Sequence, residues 1–224
     1  IIHIHLVIFR MVLLFHLWHI CLLIFPSLFG GVTNTISFTP ATCAGISFIK
    51  TDDGYELVER KKEEMKDSGV EWLGDVYSDW CIMSIKRLSR IGRGASPRPI
   101  DNPDYFSDDG EYAWTRIADV SDTGKYLLKT TQRTSKLGAS LSVKLEPNKL
   151  FLSIAGSVGK PCITAIKACI HDGFVYFPDL KEFYTDYLYY IFEGGQCYKG
   201  LGKLGTQLNL NRETVGDIKI AVPN

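Results

Sequence analysis

The six cysteines of this chain form no C-x-x-C pair, and none stands at a spacing from histidine that would suggest zinc. They read as reduced thiols of an intracellular protein, with Cys162 as a small buried hydrophobe inside an apolar strand pattern. A nucleotide loop is also missing. Gly156-Ser157-Val158-Gly159-Lys160 has two residues between its glycines where a phosphate-cradling loop has four, and Pro161 follows where Ser or Thr and a helix are needed. No carboxylate cluster suited to a catalytic metal and no cofactor loop with a catalytic dipeptide is found, so a nuclease or methyltransferase lacks support. The acids between 101 and 111 read instead as a solvated loop.

Net charge is absent too, since 25 basic and 25 acidic residues cancel over the 224-residue chain. That zero hides segregation. Residues 123–171 hold eight Lys or Arg (Lys125, Lys129, Arg133, Lys136, Lys144, Lys149, Lys160, Lys167) against one acid, Glu146, and residues 80–100 hold Lys86, Arg87, Arg90, Arg93 and Arg98 with none. The balancing acids lie at Asp101, Asp104, Asp108, Asp109 and Glu111 and before residue 80. A basic face on a neutral protein is what a polyanion needs, although scattered lysines also serve to solvate strand edges.

Residues 1–31 differ from the rest: Arg10 is their only formal charge, and 11–29 is long enough to span a bilayer. They lack a basic start and a small-residue cleavage site, so a secretory signal fits poorly. Three readings stay open, a membrane-inserted helix, a buried hydrophobic helix, or sequence foreign to the domain, the last favoured by an opening Ile. Residues 32–50 read as irregular with room for short strands, and 52–66 is rich in helix formers with almost no apolar stripe, which predicts a solvated connecting helix. The organisation is thus 1–31, a hydrophobic segment; 32–64, an irregular segment and polar helix; and 65–224, the main domain.

With 46% hydrophobic and 12% aromatic residues the chain is globular. Short apolar runs predict strands at 150–154, 162–166 and 173–177, with Gly156 and Gly159 forming a sharp turn between the first two. Strand pattern also occupies 112–117, and 127–139 is mixed, helical around 133–137. An aromatic helix over 179–193 is stopped by Gly194-Gly195, Asn211 caps a short helix through Gly216, and 218–223 closes as a strand. Trp72, Trp80 and Trp114 read as packing anchors.

Four stretches in order carry a resemblance: Lys66-Asp-Ser-Gly-Val-Glu-Trp-Leu-Gly-Asp-Val76 with Trp80; Gly94-x-x-Pro97 followed by Trp114-Thr-Arg116-Ile-x-Asp119-Val120; Leu150-Phe-Leu-Ser-Ile-Ala-Gly-Ser-Val-Gly-Lys160; and Gly205-Thr-Gln207-Leu-Asn209-Leu210 running to Ile218-Lys-Ile-Ala-Val-Pro223. From Met65 onward the chain resembles a target recognition domain of the DNA-specificity (S) subunit of type I restriction-modification systems. Tyr77 departs from the Pro usual in the first stretch, and residues 1–50 match nothing in that family. The resemblance implies an α/β (α+β) domain with a twisted, mostly antiparallel sheet and flanking helices. It implies a cytoplasmic, non-catalytic subunit that reads one half of a bipartite site in double-stranded DNA, with this chain a half-subunit or a fragment. Its partners would be a methylation (M) subunit using S-adenosylmethionine and a restriction and motor (R) subunit using ATP and magnesium. A second copy, or a second recognition domain, would complete the site.

Such a domain positions itself on phosphates and reads base edges with a few loop side chains. Arg suits guanine, and Gln or Asn suits adenine. The loop candidates are Arg93, Ser96, Arg98, Arg116, Lys136, Ser157, Lys160, Lys203, Thr206, Gln207 and Asn209, with Gln207 also able to brace its own loop. The competing reading is a membrane-tethered binding protein with a basic α/β domain, anchored by residues 1–31.

Overall fold

The computed structural model describes residues 46–51, 54–59, 61–201 and 209–223. In chain order the strands are β1 (Ile46–Thr51), β2 (Gly54–Glu59), β3 (Met65–Asp67), β4 (Asp75–Tyr77), β5 (Cys81–Ser84), β6 (Gly92–Arg93), β7 (Tyr112–Thr115), β8 (Tyr126–Leu127), β9 (Gln132–Thr134), β10 (Val143–Leu145), β11 (Leu150–Ser153), β12 (Pro161–Thr164), β13 (Ala168–Ile170), β14 (Phe174–Tyr176) and β15 (Lys219–Val222). The α-helices are α1 (Ile117–Ser121), α2 (Lys136–Ser140), α3 (Thr185–Glu193) and α4 (Arg212–Asp217). The described residues fall into two compact units, one made of those up to Met83 together with those from Ile220 on, the other of those within Ser84–Lys219.

In the first unit β1 and β2 pair antiparallel, with Thr51 opposite Gly54. This corrects the helix predicted over 52–66, where the structure has a strand, a 3-10 turn at Lys62–Glu64 and the start of β3. Glu56 and Leu57 favour helix, but Tyr55 and Val58 favour strand, and the partner strand at 46–51 supplies backbone bonds that a helix without an apolar stripe cannot match. Further on, β3 pairs with β4, and Leu73, Val76, Trp80 and Ala221 form a small core, flanked by Trp72. The hydrophobic segment 1–31 and most of the irregular stretch after it lie outside the described residues. Among the described residues no helix is long and apolar enough to cross a membrane.

The second unit is mixed α+β. It has two sheets where the sequence suggested one, a five-stranded sheet in the order β6-β14-β11-β12-β8 and a four-stranded sheet in the order β10-β13-β7-β9. Pairing is antiparallel apart from β12 with β8 and β13 with β7. Leu127, Phe151, Cys162 and Phe174 of one sheet and Leu145, Ala168 and Ile170 of the other share one core, where the Phe151 and Phe174 rings meet edge to face at 5.2 Å. All four residues of β11 and of β12 are buried, which is why these strands read as continuous apolar runs instead of alternating ones. The other face of β7 and β13 packs Trp114 and Cys169 against Ala139 of α2.

Helix α3 buries Tyr187, Leu188, Ile191 and Phe192, and Phe192 stacks on both Phe177 and Tyr198. The helical turn read around 133–137 begins three residues later. Thr134 closes β9, and Ser135 caps α2 by accepting from the Gly138 amide. Asn211 caps α4 by accepting from the Glu213 and Thr214 amides.

Candidate nucleic-acid interface

Three of the sequence candidates converge on one acid. The loop after β6 leaves its sheet where the Gly94 amide donates to the Phe174 carbonyl and the Ala95 amide to that of Ile170, bringing the loop against the turn between β13 and β14. A Cβ on Gly94 would lie 2.0 Å from the His171 carbonyl oxygen, so only glycine permits this approach. In that contact Arg93 Nε donates to the Asp172 carbonyl at 2.7 Å. The Ser96 hydroxyl donates to Asp172 Oδ1 at 3.0 Å, and Arg98 Nη2 donates to Oδ2 at 2.9 Å. Partial burial pushes the Asp172 carboxyl up, but the Ser96 hydroxyl and the Arg98 charge outweigh it and hold the group below its ordinary value. The Arg98 backbone is tied down by the Tyr105 hydroxyl, which donates to its carbonyl.

His171 backs this cluster. Its ring lies 4.7 Å from that of Phe174 and 6.3 Å from Trp114, and Nδ1 accepts from the Gly173 amide at 2.7 Å. Burial pushes the imidazole below its ordinary pKa, against the pull of Asp172 and Asp119. The neutral ring matches the acceptor role of Nδ1.

A second group forms around α1. Arg116 precedes the helix, its amide donating to Asp119 Oδ2, while its guanidinium donates to the Thr131 hydroxyl. Asp119 Oδ1 in turn accepts from the Thr131 amide and hydroxyl. The far end of α1 is gripped by the glycine turn. Ser157 Oγ lies 2.7 Å from Ser121 Oγ, and Lys160 Nζ donates to the carbonyls of Ser121 and Thr123, both at 2.9 Å. A cation there satisfies carbonyls that a helix end leaves unpaired. The turn itself needs positive φ at Gly156 and Gly159, and a Cβ on either would press Ile117 or Tyr198 at 2.8 Å.

Lys136 starts α2 and is exposed. Asn209 is exposed two residues before the α4 cap. Lys203, Thr206 and Gln207 lie outside the described residues.

Folding also redistributes the segregated charge. Glu111, just before β7, meets Lys167 at 2.5 Å, and the Lys167 ammonium holds the Glu111 carboxyl below its ordinary value. Arg133 donates to the Gly110 and Glu111 carbonyls. Lys125, with a side chain 13% exposed, pairs with Asp186 of α3 at 2.7 Å and sits over the Tyr190 ring at 4.6 Å, so it ties α3 to the sheet instead of facing solvent. The hub residues Asp172, Asp119 and Thr131 were not among the sequence candidates, because an acid or a threonine in a loop carries no local mark of the arginine it will meet. Trp80 and Trp114 are buried packing residues, 5% and 2% exposed. Cys162, Cys169 and Cys197 are buried free thiols, and burial pushes Cys162 up to about 12. Among the described residues no group of His, Cys, Asp and Glu is arranged to hold a metal ion.

The loops that carry these groups stand on two packed mixed sheets. Solved structures with a similar fold include a chain described in work on complex assembly and conformational transition of the type I R-M system, with a TM-score of 0.50, 17% identity, and coverage of 72% of this chain and 37% of that one. Two others are the HsdS subunit from Thermoanaerobacter tengcongensis (TM-score 0.47, 17% identity, 72% and 36% coverage) and the type I restriction-modification system S subunit from M. genitalium (TM-score 0.44, 16% identity, 63% and 34% coverage). The first of these likenesses shows a shared fold. This chain spans roughly a third of the length of each. No family model matches the sequence, and no curated protein matches it.

Proposed function

We propose that this chain binds double-stranded DNA sequence-specifically as part of the specificity subunit of a type I restriction-modification complex. It reads one half of a bipartite site and directs partner subunits that methylate with S-adenosylmethionine or translocate and cut with ATP and magnesium. The chain itself does no chemistry on the DNA. The observation that carries this reading is the fold shared at a TM-score of 0.50 over 72% of the chain. The loops lend it support, since Arg93 ends β6, the loop carrying Ser96 and Arg98 is fastened to β13 and β14 through the Gly94 and Ala95 amides, and the Arg116 backbone is held by Asp119. Rigid loops carrying guanidinium and hydroxyl groups suit the edges of bases in a major groove.

The test is selection of a random duplex DNA library by the full chain, alone and with a cognate methylation subunit, at moderate salt with competitor DNA. Enrichment of a fixed half-site of a few base pairs is the expected result. Binding that is absent, or purely salt-dependent with no enriched sequence in either format, overturns the reading.

A further inference from the structure

We propose that Asp172 is a positioning residue that turns Arg98, assisted by Arg93, into a reader of a guanine edge instead of a general phosphate contact. This rests on the DNA-binding reading above. The starting point is a mismatch between effort and stability. The Arg98–Asp172 pair is 68% and 42% exposed, and an exposed ion pair adds little to folding. Yet the carboxylate is oriented from both sides, with Oδ1 held by the Ser96 hydroxyl and Oδ2 by Arg98. The Asp172 backbone is fastened too, its amide donating to Ser96 Oγ at 3.4 Å and its carbonyl accepting from Arg93 Nε.

The consequence for Arg98 is geometric. One Nη2 hydrogen is committed to Asp172, and its remaining N–H groups make no other hydrogen bond among the described residues. A free arginine samples many rotamers, whereas a guanidinium anchored through one Nη2 hydrogen has fewer orientations and keeps the rest of its planar fork available for the N7 and O6 acceptors of guanine. The charge argues the same way. A carboxylate beside the guanidinium repels phosphate, so the pair is poorly built for backbone contacts and discourages binding to DNA that offers no acceptor pair at that position.

The experiment measures binding of the full chain to its selected half-site and to scrambled duplex across a salt series, for wild type, D172N, D172E, S96A, R98A and the D172N/R98A double variant, with thermal melting of each as a control. D172N should lower the ratio of site to scrambled affinity by about tenfold, a typical value for one lost bidentate contact, while scrambled DNA binds as well as before or better. S96A should lower the same ratio by a smaller factor and D172E should restore part of it. In the R98A background D172N should change nothing further. A folded D172N that discriminates like wild type overturns the inference and leaves DNA reading intact, and so does an equal loss with and without Arg98. If D172N does not fold, S96A decides by the same criterion. A wild-type chain that selects no sequence overturns both.

Discussion

The Asp172 cluster and the glycine turn at 156–160 both end in cations that the sequence marks, and the structure treats them in opposite ways. Arg98 stands 68% exposed with a single carboxylate contact, whereas Lys160 lends its ammonium to two backbone carbonyls at the end of α1. One arrangement leaves donors facing outward, and the other uses them to close a helix end. A cation next to a glycine turn is therefore no guide to its role until the carbonyls around it are located.

The comparison breaks most visibly at the glycines. Gly94→Ala forces a methyl to within 2.0 Å of the His171 carbonyl oxygen, backbone that cannot swing aside. It should cost about 2–3 kcal/mol in urea denaturation, through overpacking. Gly159→Ala meets the Tyr198 ring at 2.8 Å and takes on a φ of 86°, a cost nearer 1–2 kcal/mol, because a side chain can yield where a carbonyl cannot. Equal effects would mean that the loop after β6 is no more rigid than the glycine turn.

A smaller effect sharpens the contrast between the cations. Lys160→Met keeps the apolar stem and removes both hydrogen bonds to Ser121 and Thr123, so stability should fall by about 1–2 kcal/mol. The ratio of site to scrambled DNA affinity should move far less than in R98A. A variant of unchanged stability with selectively weakened DNA binding would place Lys160 beside Arg98 instead.

The smallest effect is in pH. The folded His171 pKa lies below its ordinary 6.5, so the stability it contributes is fully present above 6.5 and is lost as pH falls through the folded value. Protonation of Nδ1 would also break its bond from the Gly173 amide. Urea midpoints between pH 7.5 and about 5 should therefore fall more in wild type than in His171→Gln. Parallel curves would remove His171 as the source of that slope.

Much of the scaffold was legible locally. Continuous apolar runs marked β11, β12 and β14, the aromatic segment marked α3 with its Gly194-Gly195 stop, and Asn211 was recognisable as a cap, because burial pattern, glycine and capping chemistry act within a few residues. Helix over 52–66 was misread because propensity is a weak bias, overcome once a strand at 46–51 offers backbone partners. Charge along the chain is a related case: Lys167 and Glu111 are 56 residues apart in sequence and in contact in the fold, so a charge run is no map of charge in space.

By itself, then, the sequence determined where apolar strands, turns and caps must fall, and a family likeness spread over four stretches. Only the tertiary structure decided that Arg93, Ser96 and Arg98 share Asp172, more than 70 residues away, and that Lys160 turns inward onto α1. The reason is physical: backbone preferences are set by neighbours along the chain, whereas the partner of a long charged side chain is set by which distant loop the packing of the sheets brings within hydrogen-bond reach.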